Sequence, residues 1–422
     1  MLLLIIFVLL IAVGLPIAFS FGVAGLIYIL SFTHFQPQLI TTVSFSQLDS
    51  FSLMAVPFFI FAGDIMRYGG VSSRLIKFTK SLFKQSTSAV GTITVVASAF
   101  FGAISGAAVA TVAAIGGIML PEMKKTGYKH EYSAALASSA GYLGILIPPS
   151  IPLLVFGVTS NQSIGDLFIA GIIPGLMACT GMVLLNAWLH KKWMVDKTEM
   201  VIEKPQKISL FVGFMEALPG LLMPVIILGG IYGGVFTATE AAAVAIVYGL
   251  LVSIFIYKEI KINQILKIAI ESARTSAKIL FIIALAGFFG RLMTMIHLPS
   301  EITKAMLSIS ENKYVLLALI GILFLFLGMV METSCAILIV TPILMPLAMQ
   351  VGINPIHLGI IIVFDLAIGL ITPPMAVNIF VGSQISGVPV AKMIKPIIPF
   401  VLISLIMLVF VIYVPQISLC LL

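Results

Sequence analysis

Apolar stretches of about 20 residues or more recur along nearly the whole chain. A helix needs roughly 20 apolar residues to cross a hydrocarbon core about 30 Å thick. In lipid every backbone polar group must find its partner inside the protein, which favours helices. The sequence therefore predicts an all-α polytopic membrane protein with about nine or ten crossings. We expect Gly14 and Pro16 to break the first apolar stretch.

The composition excludes several other classes of protein. Hydrophobic residues make up 60% of the 422 residues and charged residues 9%, whereas soluble domains are about 25% charged. The three cysteines, Cys179, Cys335 and Cys420, lie in apolar runs without the paired spacing of a disulfide or zinc framework. The chain lacks a phosphate-binding glycine-rich loop ending in Lys-Ser or Lys-Thr. We therefore expect neither ATP hydrolysis nor a bound cofactor.

Basic residues cluster in some connections and are absent from others. The clusters lie in 67–84, 124–129, 191–207 and 258–278. The connections without Lys or Arg are 31–50, 159–167 and 232–240. Because loops rich in Lys and Arg stay on the cytoplasmic side, the net charge of +7 indicates membrane orientation rather than a nucleic-acid partner.

An internal repeat relates the two halves of the chain. Gly-Ile-Leu-Ile-Pro-Pro at 144–149 corresponds to Gly-Leu-Ile-Thr-Pro-Pro at 369–374, an offset of 369 − 144 = 225 residues. The same offset relates Pro121 to Pro346. Tandem prolines remove backbone donors and clash with the preceding turn, so each motif must break a helix.

An apolar segment with a polar centre precedes each broken helix. Each is about twice the length of a span, and its two ends belong to the same side, so it predicts a re-entrant hairpin. The first hairpin enters from the cytoplasm and the second from outside, as in an inverted-topology repeat. The predicted organisation is a first repeat at 1–195 (hairpin 87–124, broken helix 130–160), a linker and connecting helix at 196–236, and a second repeat at 237–422 (hairpin 314–350, broken helix 356–384).

The hairpin tips and the helix breaks are the candidate ion sites. Unwound carbonyls and hydroxyl oxygens suit a hard cation such as sodium. The alternative is that the breaks are kinks satisfied by neighbouring helices, and that the small residues only allow close packing. The candidate sodium ligands are Ser105, Gly106, Gly144, Ile147 and Pro149 in the first half, and Thr333, Ser334, Gly369, Thr372 and Pro374 in the second.

Charged residues in apolar surroundings are few, and each is a functional hypothesis because a charge in lipid is costly. We expect Asp64 to pair with the nearby Arg67, and Glu240 completes a capping box with Thr237. Glu332 and Asp365 belong to the second hairpin and the second broken helix, which favours a role in binding substrate. So few buried carboxylates favour sodium coupling over a proton relay.

Several motifs resemble the large membrane subunit of the tripartite ATP-independent periplasmic (TRAP) transporters. The resemblance covers nearly the whole chain. Ala238 departs from a frequent proline, and Glu332-Thr333 from a frequent Asp-Pro. The matching stretches include Val56-Pro-Phe-Phe59, Gly102-Ala-Ile-Ser-Gly106, Leu120-Pro-Glu-Met-Lys-Lys125, 144–152, 170–175, 234–242, Thr341-Pro-Ile-Leu-Met-Pro346 and Thr372-Pro-Pro374 with Asn378.

The resemblance implies a sodium-driven importer of a small organic acid in the bacterial inner membrane, with sialic acid or a C4-dicarboxylate as substrate. It implies an elevator mechanism, a small four-helix membrane subunit and a periplasmic substrate-binding protein. Because Met1 opens directly on the first helix of the large subunit, we expect the small subunit to be a separate chain. The residues expected to contact substrate are Ser105, Glu332, Asp365 and Asn378.

Other functions remain open at this point. A related transporter could work alone, without a binding protein. An intramembrane hydrolase would need a catalytic pair, but Asp64 and Asp365 lack a Gly-x-Gly-Asp setting and the chain has no His-Glu-x-x-His. A channel fits two-sided hairpins less well than a transporter with alternating access.

Overall fold

A computed structural model describes residues 2–33, 35–83, 88–194, 209–374 and 376–422. Within these ranges the chain is helical apart from its connections and one isolated antiparallel bridge, between Tyr128 and Met194. Nine helical segments in the described ranges are long and apolar enough to cross a membrane, judged by length and composition. The predicted all-α membrane fold is confirmed. Of the predicted linker and connecting helix at 196–236, residues 196–208 lie outside the described residues.

The helices of the first half end before this linker. A 3₁₀ turn at Phe51–Met54 precedes the fourth helix, a π-helical turn at Val112–Gly116 lies in the hairpin, and a 3₁₀ turn at His190–Trp193 ends the half. The helices are α1 (Leu2–Ala12), α2 (Ile17–Phe32), α3 (Leu39–Leu48), α4 (Ala55–Tyr68), α5 (Val71–Leu82), α6 (Ala89–Ser105), α7 (Ala108–Thr111), α8 (Gly117–Lys125), α9 (His130–Ala140), α10 (Leu143–Leu146), α11 (Ile151–Ser160) and α12 (Ile164–Leu189).

The second half begins with a connecting helix and ends with a short C-terminal turn of helix. A π-helical turn at Val252–Ile256 follows the second of its helices. The helices are α13 (Leu210–Tyr232), α14 (Ala238–Leu251), α15 (Ile262–Met295), α16 (Leu298–Ile309), α17 (Lys313–Val330), α18 (Thr333–Gln350), α19 (Pro355–Gly369), α20 (Val377–Ser386), α21 (Val390–Tyr413) and α22 (Gln416–Leu419).

Three local predictions from the sequence are confirmed. The first apolar stretch breaks between Ala12 and Ile17, around Gly14 and Pro16. The Thr237 side chain accepts a hydrogen bond from the Glu240 backbone while Glu240 caps the Thr237 backbone, a complete capping box. In α4, Asp64 and Arg67 form an ion pair of 3.3 Å.

The two hairpins turn in different ways. At the first tip, between α6 and α7, Gly106 has a φ of 62° and its N–H donates to the Gly102 carbonyl. A glycine adopts this left-handed conformation without steric cost, so the chain can reverse within three residues. At the second tip, α17 ends at Val330 and α18 starts at Thr333, with Glu332 as its N-cap.

Each hairpin packs against its own broken helix through a pair of glycines. A Cβ atom added to Gly102 of α6 would lie 2.6 Å from the Cα atom of Gly144 in α10. In the second half, a Cβ atom added to Gly328 of α17 would lie 3.1 Å from the Cα atom of Gly369 in α19. Backbone contact at equivalent places in both halves supports the inverted repeat read from the sequence.

The two ends of the molecule carry different side chains. At one end the amphipathic helix α5 places three cations beside carboxylates from three other segments. These ion pairs are Arg74 with Glu259 (3.2 Å), Lys77 with Glu216 (2.6 Å) and Lys80 with Glu122 (2.9 Å). All three cations belong to a connection predicted to be cytoplasmic, which agrees with the orientation inferred from the basic clusters.

At the other end, two of the connections that contain no Lys or Arg meet around one pocket. Its lining includes Ser52, Gln162, Asp166 and Thr237. These two connections therefore lie together at the C-terminal end of α13, opposite the end that holds Glu216 and its ion pair with Lys77, as an outward-facing end requires.

The glycine contact of the first hairpin predicts the effect of one added methyl group. Gly102→Ala forces atoms of α6 and α10 apart, and overpacking of this kind costs about 1–3 kcal/mol. Gly117→Ala, in α8 of the same hairpin, meets no atom within 4 Å and serves as the matched control. Thermal unfolding of the purified protein should show a lower midpoint for Gly102→Ala only, and equal midpoints for both variants would contradict the contact.

Candidate functional site

The tip of the first hairpin lies directly on the first Pro-Pro break. The Ile151 N–H, at the start of α11, donates to the Gly106 carbonyl at 3.2 Å. A Cβ atom at Gly106 would lie 2.9 Å from the Pro149 carbonyl oxygen. Only glycine permits both the turn and this approach. The sequence prediction that the first tip and the first break form one site is therefore consistent with the structure.

Oxygen atoms from the tip converge beside Gly144. The hydroxyl oxygens of Ser105 and Thr111 are 3.2 Å apart, and the Thr111 hydroxyl donates to the Ala107 carbonyl at 2.9 Å. A Cβ atom at Gly144 would collide with the Thr111 hydroxyl and lie 2.8 Å from the Ala107 oxygen. These neutral oxygens are the kind of ligand that a hard cation takes. We call Ser105, Ala107, Thr111 and Gly144 the first oxygen cluster.

The remaining candidates of the first half lie in the loop between α10 and α11. Pro149 is buried, whereas Ile147 is half-buried and has extended backbone. A Cβ atom at Gly175 of α12 would lie 2.6 Å from the Ile147 side chain, so this side chain packs on α12. The Ser150 hydroxyl donates to the Ile145 carbonyl and accepts from the Leu153 N–H. Local hydrogen bonds thus stabilise the non-helical loop.

The second tip is buried but is already capped by its own carboxylate. Thr333 and Ser334 are both buried. The Glu332 carboxylate accepts hydrogen bonds from the Ser334 hydroxyl at 3.0 Å and from the Cys335 N–H at 3.2 Å. An acidic N-cap offsets the partial positive charge of a helix N-terminus. In this conformation the Glu332 carboxylate is bonded to its own helix, and its contact with substrate stays a prediction.

The second break is more open than the first. Pro374 is exposed, Thr372 is half-buried and its hydroxyl donates to the Ile368 carbonyl at 2.8 Å, and Gly369 is buried. Across the described residues, no hydrogen bond joins Thr333 or Ser334 to this break. The structure therefore brings Ser105, Gly106, Gly144 and Pro149 of the first set close together, whereas the Ile147 side chain packs on α12. It leaves the tip and the break of the second set without a comparable link.

Asn378 connects the two repeats. It begins the second arm of the broken helix in the second half, and its amide nitrogen donates to the Ser138 carbonyl in α9 at 3.3 Å. The Asn378 amide oxygen and the nearby Ser139 hydroxyl are buried without a hydrogen-bond partner. Buried polar atoms are rarely left unpaired. A substrate hydroxyl could donate to the amide oxygen, and a substrate anionic group could accept from the Ser139 hydroxyl, which agrees with the predicted substrate role of Asn378.

The Asp365 side chain lies against α17, the first arm of the second hairpin. Its carboxyl faces Gly321 of α17, where an added Cβ atom would lie 3.3 Å from the Asp365 Oδ2 atom. Within the described part of the chain, Asp365 forms no hydrogen bond with Ser105, Glu332 or Asn378. Its predicted contact with substrate is untested.

Sequence reasoning did not select Thr111, Ala107, Ser138 or Ser139. Thr111 ends the polar centre of the first hairpin, and its position one helical turn after Ala107 could have identified it. Nothing near Ser138 and Ser139 in the sequence marks them as site residues, because Asn378, which donates to the Ser138 carbonyl, is 240 residues away from Ser138. Among the described residues, no group of three or more His, Cys, Asp or Glu side chains could hold a metal ion.

Comparison with known proteins identifies a family. Residues 4–417 match the family model described as tripartite ATP-independent periplasmic transporter, DctM component. The isethionate TRAP transporter permease protein DctMQ of Oleidesulfovibrio alaskensis is 39% identical over 98% of this chain, which spans 65% of that relative's length. The C4-dicarboxylate large permease DctM of Rhodobacter capsulatus is 36% identical, with coverage of 99% and 98%.

Two further similarities extend the comparison. The sialic acid large permease SiaM of Vibrio cholerae is 34% identical, over 97% of this chain and 95% of its own. The crystal structure of the YdaH transporter of Alcanivorax borkumensis superposes with a TM-score of 0.65 over 98% of both chains. At 14% identity, that structure is informative about the fold alone.

The difference between the two breaks can be measured with a pair of single cysteines. Val155 and Phe380 are equivalent positions (380 − 155 = 225), yet Val155 is 1% exposed and Phe380 is 45% exposed. In a background with Cys179, Cys335 and Cys420 replaced by serine, a thiol at 380 should react with a small methanethiosulfonate much faster than one at 155. Equal reaction rates would contradict the asymmetry.

Proposed function

Because the chain belongs to the DctM-component family of the tripartite ATP-independent periplasmic transporters, we propose that it imports a small organic anion driven by sodium. Membership of the family confirms the resemblance read from the sequence, and it makes the chain a multi-pass transport permease rather than an enzyme. Sodium coupling, the substrate and the partners are parts of the proposal.

The observation that best supports sodium coupling is the first oxygen cluster. Ser105, Ala107 and Thr111 place two hydroxyls and one carbonyl beside Gly144, and the adjacent break places the Pro149 carbonyl oxygen beside Gly106. Sodium prefers neutral and anionic oxygens, and a buried cluster without a carboxylate suits a monovalent ion. The candidate ligands of the second half, Thr333, Ser334, Gly369, Thr372 and Pro374, would form an equivalent site when the second tip approaches its break.

The proposed substrate is a small organic anion of the sialic acid or C4-dicarboxylate type. Relatives carry the names of isethionate, C4-dicarboxylate and sialic acid permeases, and all of these compounds are acids. Asn378 and Ser105 are the most suitable contacts, because the unpaired Asn378 amide oxygen can accept a hydrogen bond from a substrate hydroxyl and the Ser105 hydroxyl can donate to the anionic group. Bound sodium would offset the negative charge of the substrate's carboxylate or sulfonate group. Glu332 and Asp365 remain weaker candidates.

The proposed mechanism is an elevator. The two hairpins and the two broken helices would move together against the remaining helices, and each hairpin would also open and close over its own break from its own side. The hydrogen bond between Ile151 and Gly106 would keep the first site closed. The opening at Pro374 would admit ion and substrate.

The proposed partners follow from the family. A small four-helix membrane subunit would associate with this chain, and a periplasmic binding protein would deliver the anion to the outer face in the bacterial inner membrane. The second candidate function is a related transporter that works without a binding protein.

Uptake into proteoliposomes separates these possibilities. Uptake of labelled sialic acid or succinate would be measured in vesicles that contain this chain and a small subunit. The binding protein and the sodium gradient would each be present or absent. Uptake that needs both sodium and the binding protein supports the proposal. Uptake without the binding protein supports the second candidate, and uptake indifferent to sodium would contradict coupling.

Removal of hydroxyls from the first oxygen cluster should weaken sodium binding selectively. Ser105→Ala and Thr111→Val each remove one oxygen, and a hydrogen-bonding group beside a charge contributes about 1.5–3 kcal/mol. The sodium concentration for half-maximal uptake should rise by roughly tenfold or more, since 1.4 kcal/mol corresponds to tenfold. Thr180→Val removes an exposed hydroxyl bonded to its own helix and should leave the sodium dependence unchanged. An unchanged sodium dependence in both cluster variants would exclude this site.

A further inference from the structure

The Asp365 carboxyl is fully buried and has no partner. It is 0% exposed, and both of its oxygens lack a hydrogen bond. Asp365 belongs to none of the four ion pairs between described residues. A buried ionised carboxylate without a partner is strongly unfavourable, and such a group takes up a proton instead.

Asp64 shows how the same chain accommodates a charged carboxylate. It lies in α4 at 3.3 Å from the Arg67 guanidinium and accepts a hydrogen bond of 2.7 Å from the Ser272 hydroxyl. These two contacts offset the loss of water around the charge. Asp365 has neither kind of contact, so the two aspartates differ in surroundings rather than in chemistry.

Among the residues that the structure describes, no charged group pairs with Asp365. Seven helices pack against α19: α10, α11, α12, α17, α18, α21 and α22. None of the titratable side chains on them, nor the one other on α19, forms a hydrogen bond or ion pair with Asp365. These side chains are Asp166 and Cys179 of α12, Lys313 and Tyr314 of α17, Cys335 of α18, Lys392, Lys395 and Tyr413 of α21, and His357 of α19.

His357 lies nearer the outer end of the same helix. It precedes Asp365 by eight residues, about 12 Å along the helix axis. Its Nδ1 atom contacts the Ser418 hydroxyl at 2.7 Å, while its Nε2 atom is buried without a partner. His357 therefore does not supply the partner that a charged Asp365 would need.

The position of Asp365 connects it with the movement of the second hairpin. It faces Gly321 of α17, the first arm of that hairpin. A Cβ atom at Gly321 would occupy the space beside the carboxyl. Gly328, two turns further along α17, makes the close backbone contact described above. A negative charge on Asp365 would therefore appear inside the interface between the hairpin arm and the broken helix.

We propose that Asp365 is a proton-binding site, which holds a proton in the conformation described and releases it when α17 and α19 separate. The proton comes from water and returns to water, and the carboxyl oxygen–hydrogen bond is the only bond formed or broken. This site adds a proton to the ions bound in the transport cycle and thereby goes beyond the proposed sodium coupling. Its effect on transport rests on the proposed function, whereas its protonation does not.

Infrared spectroscopy tests the protonation directly. The full chain in lipid vesicles at neutral pH should show the C=O stretch of a protonated carboxyl, which shifts when aspartate is labelled with ¹³C. This band should disappear in Asp365→Asn and persist in the matched control Asp64→Asn. A labelled wild-type protein without the band would overturn the proposal even if the variant did not fold, and so would an unchanged band in folded Asp365→Asn.

The pH dependence of sodium-driven uptake tests the effect on transport. Loss of the proton at alkaline pH should lower wild-type uptake by up to about tenfold per pH unit. Asn cannot ionise, so Asp365→Asn should show a flatter alkaline limb than the wild type and Asp64→Asn. Identical profiles in wild type and Asp365→Asn would overturn the link to transport. A wild-type chain without sodium-driven uptake would contradict the proposed function, while the infrared result would still decide the proton site.

Discussion

The rest of the site depends on the contact between the first hairpin tip and the first Pro-Pro break. The Gly106 carbonyl accepts the first N–H of α11, and Gly102 lets α6 approach α10 backbone to backbone. Interrupted helices in a membrane need such partners, because unpaired backbone groups are costly in lipid. The same contact that stabilises the broken helix therefore places the oxygens of Ser105 and Thr111 beside Gly144.

Most of the fold could be predicted from the sequence, because the bilayer restricts what an apolar chain can form. The length of the apolar stretches predicted the spans, and the offset of 225 residues between the Gly144 and Gly369 motifs predicted the repeat. Local rules sufficed for the capping box at Thr237 and for the break near Gly14. Contacts between distant segments, such as Lys80 with Glu122, carry no comparable signal in one sequence.

The site was predicted only in part, for a physical reason. Motif residues such as Ser105 and Gly144 are recognisable because they lie at the polar centre of a hairpin and beside a Pro-Pro break. Thr111 and Ser139 matter through their neighbours, and a hydroxyl in a helix usually bonds only its own backbone. The sequence also gave no sign that the two breaks would differ, since Pro149 is buried and Pro374 exposed despite nearly identical motifs.

The central claim is that the first oxygen cluster binds sodium, and thermal unfolding in different salts tests it most directly. A ligand that binds only the folded state raises the unfolding midpoint as its concentration increases. The account predicts that sodium, but not an equal concentration of potassium or choline, stabilises the wild-type protein, and that a Ser105→Ala, Thr111→Val double variant loses most of this effect. A sodium-specific shift that survives in the double variant, or that is absent from the wild type, would contradict it.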